Sequence, residues 1–283
     1  MFNQPRADLL VLGHIDDAGA MCGAVTIPTE GADMDTGERT MLADAGGAAI
    51  EALSRSKRSK AKFNEAKVVL LSSAKGGSAK TTTTRCLASF AAADGLRVAI
   101  IDLDEQRTLS KWWQRRSDSL PVIANYNEIP LDEAGVAVTE IAASGQYDIV
   151  FVDTPPGVER ETGSLKAAIR RSDLVLVPTT DGGEDLESVS EWMEVVRMEQ
   201  RPAYFLLCKT DRKMPTVGEA KAYLSDKGRI CPLDVRQSQA IKRSYFAGQG
   251  AADLPGILGQ RAAADYKAVW NFVRLELGMR KQP

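Results

Sequence analysis

Residues 66–85 read AKVVLLSSAKGGSAKTTTTR, and three textures meet in them. VVLLSS (68–73) is an apolar run closing on small polar residues, the pattern of a strand buried on both faces. TTTTRCLASFAAADG (81–95) reads as a helix that stops at Gly95. Between them lies a glycine-rich turn. Gly76 and Gly77 let backbone N–H groups turn inward into a concave anion nest. The helix that follows aims its positive N-terminus at the same point. Lys80 is placed to reach β- and γ-phosphate oxygens, and Thr81 to offer a hydroxyl to Mg2+. The strict GxxxxGK[ST] spacing is not met, because Ala74 and Ala79 stand where the outer glycines belong. If position 79 requires a positive φ, an alanine there costs roughly 1–2 kcal/mol.

Outward from this stretch the same alternation repeats. VAIIDLD (98–104), PVIANY (121–126), YDIVFVD (147–153), DLVLVPT (173–179) and AYFLLCK (203–209) read as buried strands. Helical patterns separate them: TLSKWWQRR (108–116) and stretches near 131–144, 161–171 and 184–199. A last helix over about 260–278 is marked by Tyr266, Val269, Trp270, Val273 and Leu277. Apolar strands alternating with helices predict an α/β domain over 66–283, a doubly wound, mainly parallel sheet of the P-loop NTPase type. Trp112 and Trp113 are expected to divide between core and rim. CKTD (208–211) is near the guanine-reading NKxD pattern, but Cys208 replaces its amide. We read it as a strand-end turn, with ATP favoured over GTP.

Residues 1–65 differ. Residues 1–50 hold Arg6 and Arg39 against eight acids, whereas SRSKRSKAK (54–62) carries five bases and no acid. Such charge blocks mark a partly flexible N-terminal extension. Met41, Leu42, Ala45, Ala49 and Leu53 could form the stripe of one helix over about 38–54, with a loosely ordered arm as the favoured alternative. Across all 283 residues the formal charge is −2, which excludes coating of nucleic acid by bulk charge. A single histidine, His14, excludes zinc sites built on paired histidines and leaves a Ser-His-Asp triad no imidazole but that of His14. The four cysteines, Cys22, Cys86, Cys208 and Cys231, form no CxxC and are expected to be small, inert thiols in a reducing cytosol. No apolar run approaches the roughly 18 residues of a membrane span, so a cytoplasmic location is expected.

KGGSAKT (75–81) also matches the deviant Walker A pattern KGGxxK[ST], with Lys75 as the extra lysine. The chain resembles the ParA/MinD family of ATPases over roughly residues 66–250. DLDEQ (102–106) is similar to that family's DxDPQ, with Glu105 in place of proline, and IVFVDTPPG (149–157) to its Walker B strand and switch segment. DLVLVPTT (173–180) is similar to its next strand. The resemblance implies that Gly76, Gly77, Ser78, Ala79, Lys80, Thr81 and Thr82 line the phosphates of ATP. Thr81 would bind Mg2+, and Asp102 and Asp153 would hold it through water. Asp104 would orient the attacking water. Lys75 would cross a dimer interface to the partner's nucleotide, adding a cation where charge develops in phosphoryl transfer.

Family members differ in what they hold, non-specific DNA or membrane. From Lys227 to Pro283 ten bases face four acids, so a local basic patch is expected to hold DNA, with Arg236, Lys242, Arg243 and Arg274 as candidate contacts. Membrane binding is not expected, because Trp270, Val273 and Leu277 are better placed to pack on the sheet. The resemblance thus implies an ATP-dependent homodimer that partitions or positions DNA or a protein cargo. It would be nucleoid-associated when ATP-bound, with a ParB-like or other partner stimulating hydrolysis. The alternative is a MinD-like, nucleotide-gated adaptor that recruits a protein partner or membrane with little hydrolysis. The arm is too short to show an operator-binding helix-turn-helix.

Overall fold

The computed structural model describes residues 12–15, 21–25, 65–156 and 162–279. The chain divides into two units, Met1–Lys62 and Phe63–Pro283. In the first, β1 (Leu12–Ile15) and β2 (Met21–Val25) pair antiparallel, a pairing the sequence reading did not assign. The helical stripe over 38–54 and the basic run 54–62 lie outside the described residues.

In the second unit, β3 (Lys67–Leu71), β4 (Val98–Asp102), β5 (Ile123–Tyr126), β6 (Ile149–Asp153), β7 (Leu174–Thr179), β8 (Ala203–Thr210) and β9 (Val235–Arg236) form one sheet. Its order is β5-β4-β6-β3-β7-β8-β9, and every pairing is parallel. Helices α1 (Lys80–Ala93), α2 (Thr108–Trp113), α3 (Ala134–Ala143), α4 (Thr162–Arg171), α5 (Gly183–Met198), α6 (Thr216–Ser225), α7 (Gln239–Ser244) and α8 (Gly256–Glu276) cover it.

The period of two along β3 explains why both faces need cover. Val69 and Leu71 pack into a core with Phe151, Trp112 and Trp270, beneath α1, α2 and α8. Val68 and Leu70 point the other way, into a core with Val150, Leu165 and Trp192, beneath α3, α4 and α5. Each such fully buried side chain contributes roughly 1.5–3 kcal/mol, and no strand of this kind can stay wet on one side. From β3 the chain moves out through β4 to the edge at β5, returns at β6 and continues beyond β3 at β7. The carboxyl ends of β3 and β6 are therefore neighbours, Leu71 opposite Asp153. That reversal of strand order creates the crevice in which such folds hold ligands.

Trp112 is fully buried and donates Nε1–H to the Gln249 carbonyl at 3.1 Å, while Trp113 is half-buried. The pair divides between core and rim as expected. Burial pushes the Cys86 and Cys231 thiols up to about 11 and Cys208 up to about 12, so all three are protonated and unreactive at neutral pH. Among the described residues no helix is long and apolar enough to cross a membrane.

The sequence reading left α6, β9 and α7 unassigned. They are short, and a buried carboxylate fixes α6 and the approach to β9 in place. Asp234 accepts hydrogen bonds from Lys221 Nζ (2.8 Å), Arg212 Nε (2.8 Å) and Thr210 Oγ1 (2.9 Å). This ties the end of β8 to α6 and to the approach to β9. Burial alone would raise the Asp234 pKa, but the donors from Lys221, Arg212 and Thr210 outweigh it and hold the group at about 2. A carboxylate held below its unfolded value near 3.8 stabilises the fold at neutral pH. That contribution is withdrawn as pH falls from about 4 to about 2. Asp234→Asn is expected to cost about 1–3 kcal/mol at pH 7, moderated because the cations are partly exposed. It should also flatten the acid limb of a stability-against-pH curve measured by urea denaturation. An unchanged acid limb would show that Asp234 is not the group responsible.

Candidate nucleotide site

The turn leaving β3 is built as its residues require. Gly77 has φ 78° and Ala79 has φ 78° with ψ 22°, so the alanine sits in the left-handed region that favours glycine. The roughly 1–2 kcal/mol cost of an alanine in that region is therefore incurred. Ala79→Gly should relieve it, less the chain entropy that glycine adds to the unfolded state, for a net gain of about 0.5–1 kcal/mol. A denaturant midpoint that stays put or falls would rule out strain at this residue.

Lys80 opens α1, is 7% exposed, and folds back over the turn. Its ammonium donates to the carbonyls of Lys75 at 3.0 Å and Ser73 at 3.4 Å. Burial lowers its pKa, opposed by the nearby Asp153 and Asp104. The Ser78 hydroxyl, inside the turn, is buried with no hydrogen-bond partner, and a buried donor of that kind calls for a ligand. Together with the glycine-rich turn and the helix N-terminus, these groups fit a polyphosphate.

Asp153 ends β6 and is fully buried. It accepts from Thr81 Oγ1 at 2.6 Å and from Thr84 Oγ1 at 3.4 Å. Burial pushes its pKa up, to about 7; the Thr81 hydrogen bond and Lys80 lower it, and Asp102 and Asp104 raise it further. Three carboxylates thus converge next to a buried ammonium. No described group of three or more His, Cys, Asp or Glu is arranged to hold a metal with protein ligands alone. Thr81 and Asp153 together nevertheless fit magnesium, which takes few protein oxygens and completes its shell with water and phosphate.

Asp102, expected to share in this, is engaged elsewhere. Its Oδ2 accepts from Ser110 N and Ser110 Oγ, both at 2.8 Å, and its Oδ1 from Asp104 N at 3.3 Å. The carboxylate anchors the first turn of α2, whose end residue Arg107 offers no side-chain cap. Asp104 lies just past β4, half-buried, and accepts from Gln106 N at 2.9 Å. Beside it opens a cleft of about 630 Å³, walled by Glu105, Arg107, Glu128, Ile129 and Pro156.

Lys75 pairs with acids of another element. Its ammonium lies 3.2 Å from Asp185 Oδ1 and 3.4 Å from Glu184 Oε2, at the start of α5. The Asp185 hydrogen bond raises its pKa, so it is fully charged. A further lysine, to which the sequence reading gave no role, closes the loop from the other side. Lys209, with φ 57° at the end of β8, donates to the Gly77 carbonyl. Its place in CKTD was the signal, but a contact spanning the sheet from residue 209 to residue 77 is not visible in a local pattern.

The segment after α7 docks against α1. Arg85 is buried and donates to Ser244 Oγ (2.8 Å) and to the carbonyls of Gln249 (2.6 Å) and Ile241 (2.5 Å). Gly250 comes so close that a Cβ would lie 2.4 Å from Ser89 Cβ. Of the cations expected on DNA, Lys242 and Arg243 are exposed on α7. Arg236 makes a two-pronged pair with Asp265, Nε to Oδ2 at 2.8 Å and Nη2 to Oδ1 at 3.0 Å. Arg274 does not face solvent as a DNA contact requires: its side chain is 11% exposed and pairs with Asp94 at 3.0 Å. Its role is to fasten α8 to the end of α1.

The family model for VirC1 protein matches residues 66–201. The chain is 32% identical over 190 residues to protein virC1 of Rhizobium rhizogenes, covering 64% of this chain and 79% of that one. It is 27% identical over 206 residues to the maintenance of carboxysome distribution protein A of Gloeobacter kilaueensis, covering 72% of this chain and 92% of the relative. Among solved structures, the septum site-determining protein MinD of Pyrococcus horikoshii, complexed with Mg-ADP, superposes with a TM-score of 0.58. That match is 13% identical and spans 75% of this chain and 98% of the other. With the phosphate loop, the two lysines and the parallel sheet in place, these likenesses agree: the chain belongs to the ParA/MinD family of ATPases.

Proposed function

We propose that this protein is a positioning ATPase that closes into a homodimer around ATP, holds duplex DNA regardless of sequence, and releases it when a partner protein stimulates hydrolysis. The observation that carries the reading is the contrast between two lysines of one loop. Lys80 is buried within the phosphate turn, whereas Lys75, on the same turn, lies on the rim with an ion-pair partner that a second subunit's nucleotide can replace. A buried lysine serves its own nucleotide; a lysine on the rim is available to another. The names of the relatives, one of them a maintenance protein for carboxysome distribution, support a positioning role.

In this reading Gly76, Gly77, Ser78 and Ala79 present backbone N–H groups to the β-phosphate, Lys80 spans β- and γ-phosphate oxygens, and Thr82 meets the α-phosphate. Thr81 and Asp153 hold magnesium, with Asp102 behind them, fixing α2. Bound there, magnesium supplies a hard cation that offsets the phosphate charge. Asp104 orients the water, and its half-buried position beside the β4 end suits that task. Lys242 and Arg243 are the DNA contacts that stay free of described ion pairs.

The test is the Asp104→Ala protein on random-sequence duplex DNA, with ATP–Mg2+ or with ADP, across a salt titration. Binding only with ATP, weakening steeply with salt, is the expected result. A demonstrated ATP dimer that leaves DNA unbound would overturn the DNA reading and favour the adaptor.

A further inference from the structure

A second cleft, of about 700 Å³, opens at the end of the sheet opposite the phosphate loop. It lies where α5 ends, where β8 begins at Ala203, and where the chain leaving α6 runs from Asp226 to Arg229. Because every strand is parallel, the start of β8 is at the far edge from the end of β3.

Arg197, Arg201, Lys227 and Arg229 all line this cleft, and all four are exposed. Asp226 is its only acidic residue. The four cations outnumber that carboxylate and the partial negative charges at the ends of α5 and α6 taken together. Several other arginines of this unit are matched with acids: Arg97 with Asp148, Arg170 with Glu199, Arg212 with Asp234 and Arg236 with Asp265. Arg107, Arg115, Arg243 and Arg261 also lack a described ion pair but do not share a cleft with one another. None of the four in the cleft takes part in a described ion pair.

Three of them, Arg197, Lys227 and Arg229, are held instead by neutral groups. Arg197 Nη1 donates to the Lys227 carbonyl at 3.4 Å. Lys227 Nζ sits 5.7 Å from the centre of the Tyr223 ring. Arg229 lies 5.9 Å over the Tyr204 ring and donates to its hydroxyl at 3.4 Å, and that hydroxyl in turn donates to Glu276 at 2.6 Å. Such contacts fix where a cation points without cancelling its charge, which is the preparation a phosphate contact needs. Three of the four are arginines, whose planar forks match phosphate oxygens in pairs.

We propose that this cleft is a phosphate-backbone contact for duplex DNA, separate from the Lys242–Arg243 surface. The proposal rests on the DNA-binding reading above and relocates part of the interface. A chain of net charge −2 can hold a polyanion only through a local patch. Arg274 is buried in its pair with Asp94 and drops out of the expected contributors, and Lys227 and Arg229 of the same C-terminal region add cations here.

The experiment compares full-length protein with the triple variant Arg197→Gln/Arg201→Gln/Lys227→Gln, all exposed side chains. Arg229 is left intact because it packs on Tyr204. Affinity for random duplex DNA is measured with ATP–Mg2+ from low to high salt, and nucleotide binding is measured alongside as the folding control. Removing one phosphate-binding cation lowers the slope of log affinity against log salt by about 0.9, so the slope of the triple variant should be shallower by about 2.7 per engaged protomer. Affinity should fall roughly tenfold or more, with nucleotide binding unchanged. Lys242→Gln/Arg243→Gln should lower the slope independently. If the unmodified protein binds DNA and only the second variant changes the slope, the cleft is not a DNA contact and the proposal is overturned. If the unmodified protein fails to bind DNA with ATP, the functional reading itself is at fault and the cleft proposal falls with it.

Discussion

Lys80→Ala is expected to lower nucleotide affinity by roughly 10²–10⁴-fold and to bring hydrolysis below detection. That range follows from two hydrogen bonds between charged groups, each worth about 1.5–3 kcal/mol in a buried setting. The ammonium is already desolvated, 7% exposed, and bonded to the carbonyls of Ser73 and Lys75. It therefore exchanges carbonyl partners for phosphate oxygens without first being taken out of water. That preorganisation is what the substitution destroys. The variant also leaves Asp153 without its nearest positive neighbour, so a folded control is needed, and far-UV circular dichroism with a denaturation midpoint provides it. Titration of a fluorescent ATP analogue measures the loss. Affinity within threefold of the unmodified protein would remove Lys80 from the phosphate site.

Lys75→Ala is expected to behave differently. Its ammonium lies against Asp185 and Glu184 and touches no group of its own phosphate turn. Nucleotide binding by the isolated subunit should therefore stay within about threefold of the unmodified protein. Partner-stimulated hydrolysis should fall by about 10³-fold or more, as when a cation delivered from outside the site is removed in phosphoryl transfer. The separation of the two effects is the diagnostic. Lys75→Arg keeps the charge but not the ammonium geometry, and it should recover part of the loss. Single-turnover assays at several protein concentrations make the comparison: a rate that rises with concentration in the unmodified protein and stays flat in Lys75→Ala supports delivery across an interface. Equal loss of binding and turnover in Lys75→Ala would place the lysine at its own nucleotide instead.

These two side chains also show how unevenly the site could be read in advance. Lys80 was identifiable because strand, turn and helix follow one another within twenty residues, and the anion nest is a local property of that turn. The positive φ at Ala79 was legible as a condition, and the backbone met it. The strands declared themselves for a similar reason: a stretch such as IVFVD, apolar at nearly every position, has no stable place except between two layers. Element ends were less legible. α8 begins at Gly256, after Pro255, four residues ahead of the expected start, because the apolar stripe used to find it is sparse in its first turn. α6 carries its stripe on Val217, Ala220 and Leu224 alone, too few to stand out against the polar residues between them.

What the sequence by itself determined was the α/β class, the position of the phosphate loop and the membership of the family that the loop announces. Each depends on residues close together in the chain, where spacing translates directly into geometry. What only the tertiary structure decided was which charges are free. Arg274 and Asp94 are 180 residues apart, Arg236 and Asp265 29, Lys75 and Glu184 109. A count of bases along the sequence treats all of these cations alike. Folding pairs some with acids and leaves Arg197, Arg201, Lys227 and Arg229 together around one cleft. Electrostatic availability is set by distances through space of a few ångströms, and those distances come into being only when the sheet closes and the helices dock on it.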